Sequence, residues 1–386
     1  MFLELLNTDF FGKKLRLDGS MAGWQRLFWG NHLVSEIAAS PDEESLRTHH
    51  FQMRSQTSRT DASEGQERAD ELVNKGVDSI ESIIDCRLEV DLRWQPFDFK
   101  YKILVNDADY LAGERDSKDI EQQVPEQVII VKSKFSLVGL GILGLKLLKS
   151  AKLIKVALAG ASLAAYAWLF SLQFALSLLA CLVVHEYGHI RAMKYFKMPT
   201  KGIYLIPFFG GMALSDGKIN TRWQDVVISI MGPTFGLGMS FLSVLAYWLT
   251  DNIFFAGLAV FNSLLNMFNL LPILPLDGGH ILKSVTFSMN SKVGLVVCIL
   301  AAVFGVWLSY SLGLALLGFL LLVGSLEIFS EWRGRHQSHL LPLDRYGQIF
   351  AAVWYLITVA SFVAIIWFFA STGDELLGLP LKILQS

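Results

Sequence analysis

The sequence is short of charge and of paired cysteine. Of 386 residues, 18% are Asp, Glu, Lys or Arg, against about 25% in an ordinary soluble domain. The shortage is not uniform. Residues 1–134 have ordinary polarity, and apolar runs dominate from Phe135 onward. No long basic run is present and the formal net charge is −2, so no electrostatic footprint for nucleic acid exists. The three cysteines, Cys86, Cys181 and Cys298, make no CxxC pair and no disulfide framework. Cys181 and Cys298 sit in apolar runs, where a thiol reads as a small buried hydrophobe. The first eleven residues have no basic region and no small-residue cleavage site, and they carry Glu4 and Asp9. They do not read as a signal peptide, so the first domain is expected to stay on the side where it is made.

What is present is apolar mass: 53% of residues are hydrophobic and the mean hydropathy is +0.43. The break in composition predicts a multi-spanning α-helical membrane protein, with about seven spans, carrying an N-terminal β-rich soluble domain. The expected divisions are the β-rich domain over 1–134, a basic amphipathic interfacial helix over 135–155, a membrane core over 156–290, and further spans with a short tail over 291–386.

The β-rich reading rests on short stretches at 14–18, 49–54, 83–94 and 99–105. In the third, Leu88, Val90, Leu92 and Trp94 alternate with Arg87, Glu89, Asp91 and Arg93, the pattern of a strand with one wet face. Asp18-Gly19 and Gly30-Asn31 are turn signals. The polar stretch 57–74 reads as a loop or a short solvated helix. In 135–155, Lys146, Lys149, Lys152 and Lys155 recur every three residues and lay a basic stripe on an apolar body.

Apolar runs at 156–170, 174–195, 226–249, 253–271, 293–310, 312–329 and 348–370 are read as the seven spans, with Ser171-Leu172-Gln173 as a tight turn. Orientation follows from the flanking cations. The lysine stripe, Arg191, Lys194, Lys197, Lys201, Lys218, Arg222, Lys283, Lys292, Arg333, Arg335 and Arg345 all fall on one side if the N-terminus is cytoplasmic. An integral protein of the inner or plasma membrane is expected.

Inside the second apolar run stands His185-Glu186-Tyr187-Gly188-His189. Residues i and i+4 share a helix face, so both imidazoles can reach one metal ion, with Glu186 beside it. This is the HExxH arrangement. A chance match is on the order of one in a hundred for this composition. A pair of interfacial histidines would leave Glu186 unexplained, and ionisable groups at membrane depth are costly and usually functional.

A catalytic zinc site needs three protein ligands and one open position. The third candidate is Asp277, in Leu270-Leu271-Pro272-Ile273-Leu274-Pro275-Leu276-Asp277-Gly278-Gly279-His280. The prolines block a regular helix, and the two glycines are expected to let the backbone turn sharply. A span terminus capped by Asp is the plain alternative, and His280 is an alternative third ligand. His32, His49, His50, His336 and His339 lie in polar context and are read as surface residues.

Over about 156–281 the sequence resembles the site-2 protease family of intramembrane zinc metalloproteases, through 185–189 and 269–279 in that order. The resemblance implies one Zn2+ per chain held by His185, His189 and Asp277. It implies Glu186 as catalytic acid and base, and Asn269 as a holder of the substrate carbonyl or its oxyanion. Gly232-Pro233 resembles the family's Gly-Pro motif, which often ends in Asn where this chain has Gly236. The stretch KGIYLIPFFGGMAL, 201–214, resembles the family's short membrane-dipping segment, whose extended edge can pair with an unwound substrate. The spacing between His189 and Gly232 leaves no room for a PDZ insertion, and no CBS domain is expected in the short stretch after Ala370.

The function expected is hydrolysis of peptide bonds in membrane-embedded substrates, by a metal-activated water with Glu186 as general base and acid. The partners expected are a transmembrane or membrane-associated protein or peptide and the lipid bilayer, with no nucleic acid. A non-proteolytic zinc-binding accessory protein for peptide export or signalling is the alternative. A secondary transporter would show an internal repeat, and none is found.

Overall fold

The structure, a computed structural model, describes residues 2–39, 46–56, 81–123, 151–169, 171–206, 210–215, 219–311, 318, 321, 324–329, 333 and 340–372. These fall into two compact units, divided after Lys118.

The first unit is two antiparallel meanders. Strands β1 (Leu3–Phe10), β2 (Lys13–Gly19), β3 (Gln25–Trp29) and β4 (His32–Ile37) form one sheet. Strands β5 (Leu46–Gln56), β6 (Glu81–Trp94), β7 (Phe97–Val105) and β8 (Ala108–Arg115) form the other. All four expected stretches lie inside strands, β2, β5, β6 and β7. Period-2 alternation is the cause. In β6, Cys86, Leu88 and Val90 are buried while Arg87, Glu89 and Asp91 are half-exposed, and Leu88 pairs with Ile103 of β7. Leu5, Leu15, Leu17, Leu27, Leu88 and Ile103 are fully buried. Phe10 joins the sheets by edge contacts with Phe51 and Tyr110, at 6.1 and 5.3 Å between ring centroids.

Two expectations fail in this unit. Gly19 is not a turn residue; it ends β2, paired with Leu3 and Gln25, and a Cβ there would strike Leu5. The chain turns one residue later. His49 is not on the surface but fully buried, with one ring nitrogen 3.0 Å from Ser35 Oγ and the other 3.0 Å from Gln25 Oε1. Its polar neighbours in sequence point to the other face of β5. His32 and His50 are exposed as expected, and His336 and His339 lie outside the described residues, as do 57–74.

The second unit is helical. After α1 (Ser117–Glu121) come α2 (Ala151–Leu169), α3 (Leu172–Tyr195), the hairpin β9 (Thr200–Ile206) and β10 (Gly210–Ser215), then α4 (Arg222–Thr250), α5 (Ile253–Asn269), α6 (Asp277–Met289), α7 (Ser291–Ser311) and α8 (Arg345–Ala370). Caps fix the starts. Ser171 accepts from the Phe174 amide, so the supposed tight turn is the N-cap of α3. Thr221 and Gln224 form a capping box on α4.

Three of these helices are long and apolar enough to cross a membrane: α4, α7 and α8. Two more, within α2 and over α5, are apolar but shorter. In α3 the His-Glu and second His positions themselves dilute the apolarity. The sixth expected span, 312–329, lies mostly outside the described residues, as do residues 135–150 of the basic helix; 151–155 are the opening of α2. Two of the cations taken as membrane flanks are inside the protein. Arg222 is 3% and Lys283 5% exposed, and Lys283 Nζ lies 2.6 Å from Glu327 Oε1 and 3.7 Å from Asp225 Oδ2. Polar partners, not a headgroup layer, receive the Lys283 charge.

Candidate metal centre

Helices α3 and α4 cross at unusually close range. A Cβ on Gly188 would collide with the Met231 carbonyl, and one on Gly232 would collide with the His189 ring. The imidazoles of α3 therefore lie directly on the backbone of α4. That contact is the local reason for glycine at both positions.

On this surface His185, Glu186 and His189 share one buried stretch of α3. The Nε2 atoms of His185 and His189 are 3.1 Å apart. Asp277, the first residue of α6, places Oδ2 at 3.4 Å from His185 Nε2 and 3.6 Å from His189 Nε2. Among the described residues, these three form the one group of His, Cys, Asp and Glu side chains whose ligand atoms converge. Asn269, at the end of α5, brings Nδ2 to 3.5 Å from His185 Nε2.

Asp277 owes its place to the break between α5 and α6. The turn over 270–276, with a cis Leu274–Pro275 peptide, ends α5 and starts α6. Gly278 and Gly279 do not make that turn; both are helical. A Cβ on either would strike the backbone of Leu270 or Ile273, so their task is to let α6 pack against the preceding turn. Asp277 is not a capping residue either, because Leu276 holds the N-cap position and makes no side-chain cap bond.

The donor set fits a zinc ion. His189 Nδ1 lies 2.7 Å from the Ile228 carbonyl oxygen, which can only accept, so Nδ1 carries a proton and, in the neutral ring, Nε2 a lone pair. His185 Nδ1 lies 2.7 Å from Asn266 Oδ1, which leaves its Nε2 in the same state. With both rings neutral, two lone pairs and a carboxylate oxygen face one another, a repulsive arrangement that a cation reverses. Ligands about 2.0–2.1 Å from a tetrahedral ion are about 3.3 Å apart, and the three separations here are 3.1, 3.4 and 3.6 Å.

Glu186 is 4% exposed, and its Oε2 has no hydrogen-bond partner. A buried oxygen left without a partner costs stability, and such an atom in a site calls for a functional explanation. The β10 strand covers it: a Cβ on Gly211 would overlap the Glu186 side chain.

His280 is elsewhere. Its Nδ1 faces Asp225 Oδ1 at 3.5 Å and Glu327 Oε1 at 3.8 Å, in the cluster that also holds Lys283 and Ser284, whose Oγ donates to Asp225 at 2.6 Å. Two further residues were not anticipated from the sequence. Asn266 meets His185, and Asn262 meets Asn266. Asn262, Asn266 and Asn269 stand at i, i+4 and i+7 of an apolar helix, a polar stripe that was there to be read.

Comparison with known proteins gives the following likenesses. Residues 173–252 and 248–309 match the model of peptidase family M50. A protein of Synechocystis sp., whose name carries zinc metalloprotease as a provisional description, is 32% identical over 154 residues, 38% of this chain and 40% of its own length. Stage IV sporulation protein FB of Bacillus subtilis is 28% identical over 188 residues, 44% of this chain and 63% of its own length. A zinc metalloprotease of Methanocaldococcus jannaschii is 33% identical over 113 residues, 28% of this chain and 32% of its own length. The chain thus spans from 32% to 63% of the length of these curated relatives.

Proposed function

We propose that this chain, whose helical core is that of peptidase family M50, is a zinc metalloendopeptidase that cleaves membrane-embedded protein or peptide substrates. The observation that carries the reading is the convergence of His185, His189 and Asp277 at 3.1–3.6 Å beside a buried, partnerless Glu186 oxygen.

His185, His189 and Asp277 hold the ion. Zinc bound there supplies Lewis acidity, bringing the pKa of a water toward neutrality and polarising a carbonyl. Glu186 takes a proton from the attacking water and passes it to the leaving nitrogen as the C–N bond breaks, giving one new carboxyl and one new amine terminus. Asn269 donates Nδ2–H to the carbonyl oxygen as negative charge grows on it. Among the described residues β9 and β10 form a two-stranded sheet, and an unwound substrate can add to such a hairpin as a strand beside Glu186. A helical substrate hides its carbonyls in i to i−4 bonds, so Gly or Pro in its span favours cleavage.

The arrangement that goes with this reading has seven spans, residues 1–134 on the cytoplasmic side, and the site near the cytoplasmic ends of its helices. The test is wild type against Glu186→Gln in membranes, scoring bound zinc and processing of single-span substrates. The expected result is retained zinc with cleavage down by about 10²–10⁴-fold. Equal processing by both proteins removes Glu186 as catalyst and returns the chain to the accessory-protein class.

A further inference from the structure

The polar stripe on α5 is buried more deeply than the candidate ligands themselves. Asn262 is 1% and Asn266 2% exposed, and Ser240 and Ser263 are fully buried. Four polar side chains sealed between two apolar helices are expensive unless each bond is made. Here each is made, and the chain of bonds has a direction.

The direction can be read from groups that have no choice. Asn262 places one side-chain atom 2.8 Å from the Gly236 carbonyl oxygen. A carbonyl only accepts, so that atom is Nδ2, which also donates to Ser240 Oγ at 2.8 Å. Its Oδ1 is thereby turned toward Asn266. One side-chain atom of Asn266 lies 2.8 Å from the Asn262 carbonyl and 3.1 Å from Asn262 Oδ1, both acceptors, so it too is the amide nitrogen. Asn266 Oδ1 is what remains, 2.7 Å from His185 Nδ1. His185 must donate there. In the neutral ring its Nε2 is then a lone pair aimed at Asp277 and His189.

The stripe exists because of one absence on the neighbouring helix. A Cβ on Gly236 would overlap the Asn266 amide. Gly236 and Asn266 are one unit: the first is empty so that the second can reach across.

We propose that Asn266 is a positioning residue, held by Asn262, that fixes the tautomer and ring orientation of His185, and that Gly236 is the opening that admits it. The proposal rests on the reading of His185 as a zinc ligand. Carboxamide or carboxylate partners behind ligating histidines are worth about 10–100-fold in metal affinity.

The experiment uses the full chain in detergent. Zinc affinity is measured by chelator competition, and the cobalt-substituted protein by its visible ligand-field spectrum. Asn266→Ala and Gly236→Ala are each expected to weaken zinc roughly 10–100-fold and to alter the cobalt spectrum, measured at a temperature where circular dichroism shows the zinc-free variants folded, since both changes also disturb a buried network. The double variant Gly236→Asn with Asn266→Ala returns an amide to the same space from α4 and is expected to recover part of the affinity. Should Asn266→Ala fail to accumulate, Asn266→Ser, polar but too short to reach His185, takes its place. Wild-type affinity and spectrum in Asn266→Ala or Asn266→Ser overturn the proposal. A wild-type chain that binds no zinc overturns the metal-site reading instead, and the two failures are distinct.

Discussion

His49 and His185 are both buried histidines, one in the β unit and one in the helical unit, and their surroundings differ in a single respect. Both ring nitrogens of His49 have hydrogen-bonding oxygens at 3.0 Å, from Ser35 and Gln25. His185 has such an oxygen partner at Nδ1; at Nε2 it faces another imidazole nitrogen, a carboxylate and, at 3.5 Å, the Asn269 amide nitrogen. The first is a closed account of donors and acceptors. The second is open on the side where an ion belongs. Burial alone does not mark a functional histidine; a ring nitrogen aimed at other metal-ligating atoms does.

The sharpest way to break this contrast is to remove each ring. His185→Ala is expected to abolish stoichiometric zinc and all cleavage, with the β unit unchanged. His49→Ala is expected to leave zinc and cleavage alone and to loosen the β unit by about 2–4 kcal/mol, since Gln25 and Ser35 lose a buried partner. Zinc analysis and hydrogen exchange along β5, both on the full chain, read the two effects. Loss of zinc in His49→Ala would erase the distinction.

The second effect is in pH. Burial, and then the nearby Arg47 and His50 charges, push the His49 pKa from 6.5 down to about 4. Between those values the unfolded chain binds a proton that the folded β unit refuses, so stability falls as pH drops through that window. It is fully present above about pH 7, and the loss on reaching pH 4 is on the order of 3 kcal/mol. Protection of β5 amides from exchange should decline over that range in wild type, and not in His49→Gln.

The smallest expected change is Gly232→Ala. The added methyl meets the His189 ring, and zinc affinity is expected to fall about 10-fold, the low end of what disturbing the surroundings of a ligand costs. A chelator titration checks it. An unchanged affinity would mean that α3 and α4 can separate at no cost to the site.

How much of this was legible beforehand varies with the kind of signal. The strand pattern of Leu88, Val90 and their charged neighbours reads directly, because side-chain period and burial are local. So does the pairing of His185 with His189 on one helix face. Other residues could not be read locally. His49 stands in a polar string, yet the face it occupies is chosen by sheet packing. Gly278 and Gly279 look like a turn and are helical, because what they avoid is a backbone distant in the path of the chain. Lys283 and Arg222 look like membrane flanks, and their burial depends on partners such as Glu327, 44 residues beyond Lys283.

The sequence by itself determined that two imidazoles and a carboxylate neighbour share one turn of helix, since four residues of α-helix return to the same side. It also determined where the chain breaks before Asp277, since proline cannot continue a helix. Only the tertiary structure decided that Asp277 rather than His280 faces those imidazoles, and that Asn266 stands behind one of them through the space left at Gly236. Those choices are set by how closely α4, α5 and α6 approach α3, and the distance between helices is a property of packed surfaces rather than of any single segment.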